Sequence, residues 1–133
     1  MSVVVGYVPR GEGEAALTHA VAEARSRQTR LVVVNTSRGD ALVDQRFADE
    51  DQLAALEKRL AETGVPHDFV HTMRGREASE EILVAAREHR AELVVIGLRH
   101  RSPVGKLLMG STAQKVLLDA ECPVLAVKAA RPR

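Results

Sequence analysis

Four short runs of the sequence are apolar almost throughout and rich in valine; they cover residues 3–5, 31–34, 93–96 and 124–127. Continuous β-branched runs of this length are typical of parallel strands that are buried on both faces. A fifth run, over 68–73, is more polar and alternates apolar with polar residues, as a half-buried strand does. The pattern therefore predicts five strands.

Helical periodicity fills the segments between these strands. The second helix is predicted over about 45–63, the third opens near Glu77, and the fourth stops before Pro123. Strict alternation of strands and helices predicts one α/β domain over 1–133, a doubly wound parallel sheet with helices on both faces. The positions that mark the helices are Leu17, Ala20, Val21 and Ala24; Leu53, Leu56 and Leu60; Ala78, Ile82, Ala85 and His89; and Met109, Ala113, Val116, Leu117 and Ala120.

The polarity of the strands predicts their order in the sheet. A flavodoxin-like order, 2-1-3-4-5, would place the third strand at the centre. That strand carries His67, Asp68 and His71, whereas the second strand is uniformly apolar. The order 3-2-1-4-5 is therefore favoured, and it places the ligand crevice at the carboxyl ends of the first and fourth strands, where the chain direction reverses.

In that order the last strand forms an edge of the sheet. Its residues Val124, Leu125, Ala126 and Val127 carry no charge, and an exposed apolar edge promotes aggregation unless something covers it. Pairing of two copies about a two-fold axis is the simplest cover, so we predict a homodimer through this strand. The alternative is that residues 128–133 cover the edge without a partner.

Composition narrows the functional classes. With 133 residues, 45% hydrophobic and 28% charged, the chain fits a single globular domain. No apolar run reaches the roughly 20 residues of a membrane span, and no basic segment precedes the short run at the start, so we expect a cytoplasmic protein.

The single Cys122 excludes an internal disulfide. Three aromatic residues argue against stacking of bases or flavin, and a net charge of +1 predicts no nucleic-acid or membrane partner.

The loop after the fourth strand holds the candidate chemistry. Gly97 ends that strand, where a missing Cβ lets backbone or ligand approach closely. Gly110, Ser111 and Thr112 lie at or near the start of the last helix, whose N–H groups and positive dipole end suit a phosphate. The competing interpretation is a turn at Gly97 and an ordinary N-cap at Ser111 or Thr112.

Charge favours the anion site. The segment 97–115 contains no acidic residue and five basic or titratable ones: Arg99, His100, Arg101, Lys106 and Lys115. Four of these are lysines or arginines, so 15 of the 19 lysines and arginines lie elsewhere, against 18 acidic residues, and the rest of the chain has a net charge of −3. The chain thus concentrates positive charge in the loop that is predicted to face the crevice.

The same segment resembles the universal stress protein family in its single-domain bacterial form. Gly97, Gly110 and Ser111 fit the spacing of the family's nucleotide motif, Gly-x2-Gly-x9-Gly-Ser/Thr, with His100 at the second glycine. The stretches 107–116 and 122–127 also resemble the family's C-terminal signature. The resemblance covers the whole β/α layout, and its specific motif covers the last third of the chain.

The resemblance implies an adenine-nucleotide-binding-like fold, a dimer, and synthesis under stress or growth arrest. It implies phosphate contacts from the motif residues and adenine contacts from backbone at the end of the second strand. The family's nucleotide binders usually carry an aspartate after the first strand, where this chain has Tyr7 and Pro9. The candidate nucleotide-binding residues are Gly97, Gly110, Ser111, Thr112, Arg99, His100, Val34, Tyr7 and Pro9.

The leading hypothesis is a non-catalytic stress-response protein with a basic pocket for ATP, another adenine nucleotide or a different phosphate-bearing ligand, and with no required cofactor. The alternatives are a family member that binds no nucleotide and acts through protein partners and, third, a slow nucleotide hydrolase. The lysine of a P-loop is absent before Ser111, and no Gly-x-Ser-x-Gly elbow occurs. His67 and His71 lack a third ligand, so no metal is expected.

Overall fold

The computed structural model describes residues 1–35, 50–71, 77–98 and 110–129. Strands and helices alternate along the chain as the periodicity predicts. Residues 72–73 of the predicted third strand, 45–49 of the predicted second helix and 109 lie outside the described residues. The elements are β1 (Ser2–Tyr7), α1 (Gly11–Arg27), β2 (Arg30–Asn35), α2 (Glu50–Thr63), β3 (His67–His71), α3 (Ala78–Glu88), β4 (Ala91–Leu98), α4 (Ser111–Asp119) and β5 (Val124–Lys128).

The five strands form one parallel sheet in the order β3-β2-β1-β4-β5. The predicted order is confirmed, and β1 and β4 are neighbours at its centre. The polar strand β3 lies at one edge, where the Asp68 carboxylate accepts hydrogen bonds from the Arg30 guanidinium of β2. Both side chains are partly exposed, as an edge position allows.

Alternating side chains of the central strands enter two separate cores. Val3 and Val5 pack with residues of α1 and α2 on one face. Val4 packs with residues of α3 and α4 on the other. Because each face of the sheet is covered, burial stabilises each valine, leucine or isoleucine side chain of a central strand by about 1.5–3 kcal/mol, which accounts for the continuous valine runs.

Helix α4 covers the sheet with a narrower face than the sequence predicts. Ala113 and Val116 are buried, but Leu117 is 39% exposed and Leu118 is 81% exposed. Leu117, one of the positions that mark this predicted helix, is therefore not a core residue. The physical reason is that α4 lies over β4 and β5 at the end of the sheet, where one side of the helix has no neighbouring element among the described residues.

The described helices include none with both the length and the apolar character needed to cross a bilayer. In the same part of the chain, no three histidine, cysteine, aspartate or glutamate side chains cluster closely enough to hold a metal ion.

Candidate functional site

A cleft opens at the carboxyl ends of β1 and β4, where the chain leaves β1 toward one face of the sheet and β4 toward the other. Such a reversal is where open α/β sheets bind ligands. The described residues enclose a cavity of about 120 Å³ there. The residues that line it come from four parts of the chain. They are Gly6 of β1 with Val8 and Arg10 in the loop that follows; Glu12 and Gly13 at the start of α1; Ala78 and Ile82 of α3 with Ile96, Gly97 and Leu98 of β4; and Gly110, Ser111, Thr112 and Ala113 at the start of α4.

The first turns of α1, α3 and α4 all border this cleft. Their unpaired N–H groups make the cleft favourable for an anion. The N-cap of α4 is Gly110, with φ −66° and ψ 160°, and it supplies no side-chain oxygen to the first turn. The interpretation of Ser111 or Thr112 as the N-cap is thus wrong, and both hydroxyl groups belong to the helical turn that lines the cleft.

Two glycines close the α1 wall of the cleft. A Cβ on Gly97 would lie 2.1 Å from the carbonyl oxygen of Glu12, and a Cβ on Gly13 would lie 1.8 Å from that of Val8. Real Cβ atoms do not approach backbone so closely. Gly97 therefore admits the backbone of α1, which is one of the two close approaches that its position at the strand end predicts.

Gly110 borders open space. Among the described residues, no atom lies within 4 Å of the position that a Cβ would take. Its φ of −66° is available to any residue, so the backbone itself does not require glycine. The missing side chain thus leaves a space before the N-terminus of α4 that no described atom occupies.

Arg10 and Glu12 are the charged side chains of the described cleft lining. The Arg10 Nη1 atom lies 3.9 Å from Glu12 Oε1, and the Glu12 side chain is 18% exposed. Neither residue is among the nucleotide-binding residues predicted from the sequence, although both follow the first strand, at whose carboxyl end the crevice is predicted. Their place at the start of α1 is the feature that could have identified them, because a helix that follows the switch-point strand begins at the crevice.

Tyr7 lies on the opposite face of β1 from the cleft, in the core beneath α1 and α2. Its hydroxyl donates to Glu14 Oε2 at 2.6 Å, and Arg59 Nη2 donates to Glu14 Oε1 at 2.8 Å. Burial, together with the neighbouring carboxylate, raises the pKa of Tyr7. Burial alone would raise the pKa of Glu14, but the hydrogen bonds from Arg59 and Tyr7 outweigh it and lower that pKa. This network fastens the first turn of α1 to β1 and α2.

The other predicted site residues are distributed more widely. Val34 is 1% exposed, in the core beneath α3 and α4, and is paired in register with Gly6. Pro9 lies between the lining residues Val8 and Arg10 without lining the cleft itself. Arg99 and His100 lie outside the described residues, as do Arg101 and Lys106.

Lys115 of the basic segment is described, and it lies away from the cleft lining. Its Nζ atom is 3.1 Å from the Asp119 carboxylate of the next turn of α4. This hydrogen bond, with further attraction from Asp119, Glu80 and Glu77, raises the pKa of Lys115. The structure brings Gly97, Gly110, Ser111 and Thr112 together around one cavity, with Arg10 as the cation of the described lining.

Comparisons with known proteins agree with this architecture. A model described as the universal stress protein family matches residues 1–128. A universal stress protein from Mycolicibacterium smegmatis is 48% identical over 126 residues, which cover 95% of this chain and 96% of that protein. The structure of a universal stress protein from Archaeoglobus fulgidus superimposes with a TM-score of 0.80 at 31% identity, over 96% of this chain and 98% of that chain. A structure of the universal stress protein from Archaeoglobus fulgidus in complex with dAMP gives a TM-score of 0.67 at 29% identity, with the same coverage.

Proposed function

Because this chain belongs to the universal stress protein family, we propose that it is a non-catalytic stress-response protein that binds an adenine nucleotide, or another small phosphate-bearing ligand, in the cleft between β1 and β4. The observation that carries the proposal is the space at Gly110, in front of the N-terminus of α4, which no described atom occupies. The similar protein from Archaeoglobus fulgidus, solved in complex with dAMP, supports an adenine nucleotide as the ligand class.

The ligand phosphate belongs at the first turn of α4, where Ser111 and Thr112 supply N–H groups and hydroxyls. Arg10 supplies positive charge from the α1 wall. The aliphatic side chains of Val8, Ile82 and Leu98 line the rest of the cavity. They suit a flat apolar base held by van der Waals contact and backbone, which is the type of contact that a chain with three aromatic residues can provide.

The proposal that the protein is non-catalytic rests on the same lining. Hydrolysis would need a base and a group that positions the attacking water within reach of one another. The described cleft offers the Glu12 carboxylate on the α1 wall and the hydroxyls of Ser111 and Thr112 on the α4 wall. Glu12 faces Arg10, which gives the carboxylate a role in balancing charge. No cofactor is required for such a function.

We also propose that the protein forms a homodimer through β5. This strand lies at the edge of the sheet, and Val124, Leu125 and Ala126 are only partly buried. Exposed strand edges of this kind are readily paired by another strand. The cytoplasmic location, and the absence of nucleic-acid and membrane partners, remain predictions from the sequence.

The ligand proposal is tested by isothermal titration and thermal melting with AMP, ATP and cyclic AMP. We expect at least one nucleotide to release heat and raise the melting temperature of the wild-type protein. The variant Gly110→Val should lose this binding because its methyl groups fill the space before α4. Its own melting temperature should fall by only a few degrees, because valine is a poorer N-cap than glycine but no described atom opposes the new side chain.

The control is Leu118→Val, which places the same side chain on an exposed position of the same helix and should keep wild-type affinity. Absence of heat and of any melting shift with all three nucleotides would overturn the ligand proposal and favour a function through protein partners. Phosphate release from ATP above the buffer background, and abolished by Gly110→Val, would overturn the non-catalytic assignment.

A further inference from the structure

A second concavity lies at the opposite end of the sheet from the cleft. The described residues enclose about 430 Å³ between residues 83–90 at the end of α3 and residues 119–122, which lead from α4 to β5. Ala91 at the amino end of β4 also lines this space, and Gly97 of the cleft lies about 20 Å away along the same strand. We call the space the amino-end groove. Its volume falls in the range of small-ligand pockets, about 300–1,000 Å³.

Two arginines form the α3 wall of the amino-end groove. Arg87 lies in the last turn of α3, and the backbone N–H of Arg90 donates to the carbonyl of Arg87 at 3.3 Å, which holds both residues in one turn. Both arginines line the groove and are exposed. Among the described residues, neither guanidinium has an ion-pair or hydrogen-bond partner. Two guanidinium groups offer several N–H donors to one carboxylate, so this wall suits a carboxylate group.

The backbone at Arg90 is an unusual place for a long side chain. Its φ is 51°, in the left-handed region that favours glycine after the end of a helix. An arginine at this position carries a backbone strain that glycine would avoid. Within the described chain, no contact of the guanidinium offsets that strain. A role in binding a partner outside the chain would explain why the side chain is there.

The opposite wall carries the reverse charge. Glu121 is exposed and lines the groove, and its carboxylate has no ion-pair or hydrogen-bond partner in the described part of the chain. Asp119 is already engaged by Lys115, whose Nζ atom lies 3.1 Å from the Asp119 carboxylate. Helix α4 ends at this wall, and the unpaired carbonyls of its last turn carry partial negative charge. This wall therefore suits one cationic group.

The lining between the two charged walls is apolar and firmly held. Leu83 and Ala86 contribute their side chains to it, and Leu83 is only 7% exposed. The segment before β5 is fixed by the backbone, since the N–H of Val94 donates to the carbonyl of Pro123 at 3.0 Å. An apolar surface between opposite charges suits a ligand with an aliphatic part and two charged ends.

We propose that the amino-end groove binds a free α-amino acid with an apolar side chain. The carboxylate of the ligand lies against Arg87 and Arg90, its ammonium group against Glu121, and its side chain on Leu83. A phosphate or a dicarboxylate would place negative charge next to Glu121, and a polyamine would place positive charge next to the two arginines, so neither matches both walls. This site lies apart from the cleft and does not rest on the proposed nucleotide function.

The single cysteine of the chain gives a direct measure of occupancy. Cys122 lines the groove, and burial raises the pKa of its thiol, so the full chain is alkylated with iodoacetamide at mildly alkaline pH and the labelling is followed by mass spectrometry. L-leucine should slow the labelling severalfold. Leucinamide lacks the carboxylate and 4-methylpentanoate lacks the ammonium group, so each should protect the thiol much less at the same concentration.

Isothermal titration with L-leucine tests the two walls through single variants. Arg87→Gln and Arg90→Gly should each weaken binding by about tenfold or more, and Glu121→Gln should weaken it by a smaller factor. Arg90→Gly is the decisive variant. Glycine suits the left-handed backbone at this position, so the variant should melt no lower than the wild type while it loses the ligand.

Two variants outside the groove are the matched controls. Lys58→Gln removes a positive charge from an exposed position of α2, and Glu88→Gln removes a carboxylate from an exposed position at the end of α3. Neither residue lines the groove, and both variants should bind L-leucine as the wild type does. A loss in the controls as large as in the groove variants would overturn the proposal, because net charge alone would then set the affinity.

The remaining outcomes are equally clear. Absence of both protection and heat with L-leucine up to about 10 mM would overturn the proposal, as would unchanged binding in Arg87→Gln and Arg90→Gly. Equal protection by leucinamide or 4-methylpentanoate would also overturn it, since one wall alone would then hold the ligand. In each case the AMP titration should keep its own result, because the groove and the cleft share no described lining residue.

Discussion

Gly97 and Gly110 stand at two walls of one cleft, and their missing side chains serve different purposes. The space beside Gly97 is filled by the backbone of Glu12, whereas the space beside Gly110 is open among the described residues. The first glycine allows two parts of the protein to touch, and the second leaves room that a ligand can use. Under the proposed function, a motif that contains both residues combines a requirement of folding with a requirement of binding, and each can be tested separately.

The largest expected effect is on stability, and it compares the two glycines directly. Gly97→Ala should reduce the free energy of unfolding by about 3 kcal/mol, since its Cβ would collide with backbone that cannot rotate away. Gly110→Ala should reduce it by about 1 kcal/mol or less, which is the cost of replacing a glycine N-cap by alanine. Urea unfolding monitored by circular dichroism measures both. Equal losses of unfolding free energy in the two variants would show that Gly110 is as closely packed as Gly97, and the two glycines would then not differ in purpose.

A smaller effect is expected on ligand affinity when a residue of the α1 wall is changed. If Arg10 faces the phosphate, Arg10→Ala should weaken AMP binding by about tenfold and adenosine binding hardly at all. The comparison of these two ligands isolates the phosphate, and isothermal titration measures it. Arg87→Ala is the matched control, because Arg87 is an exposed arginine that lines a separate groove. An equal loss for AMP and adenosine would assign Arg10 a structural role in the wall.

The smallest effect concerns the hydrogen bonds among Tyr7, Glu14 and Arg59, which hold the first turn of α1 to β1 and α2. The pKa of Glu14 is lowered in the folded protein, so its contribution is complete above the ordinary pKa of 4.5 and is lost as the pH falls below it. Glu14→Gln should therefore cost about 1 kcal/mol at neutral pH, and the difference from the wild type should shrink in acid.

Urea unfolding at a series of pH values measures this difference, with Glu57→Gln on the exposed side of α2 as the control. A difference that stays constant down to the lowest pH at which both proteins fold would mean that the ion pair does not carry the effect. Nucleotide affinity should be the same in the wild type and in both variants, since Glu14 does not line the cleft.

The fold was largely predictable because burial on both faces of a sheet restricts every residue of a central strand. The valine runs of β1 and β2 result from burial on both faces, whereas β3 carries polar residues because it lies at an edge of the sheet. The sequence pattern could not predict whether Leu117 is buried. Helical periodicity shows which residues are apolar, but it does not show whether another element lies beside them.

The site was predictable in part. The glycine and hydroxyl residues at the start of α4 were found because a helix N-terminus beside a switch point has a recognisable sequence. Arg10 and Glu12 were missed because their place in the cleft depends on where α1 begins. Tyr7 shows that a residue next to the cleft in sequence need not line it. Side chains alternate along a strand, so Tyr7 packs in the core beneath α1 and α2 while its neighbour Gly6 borders the cleft.

The contact of Gly97 with Glu12 also determines the width of the cleft on the α1 side. The end of β4 and the first turn of α1 meet backbone against glycine, and Gly13 meets Val8 in the same way. No side chain stands between these segments. A Cβ at Gly97 would push the first turn of α1 away from β4, so that the width of the cleft on this side depends on a single missing methyl group.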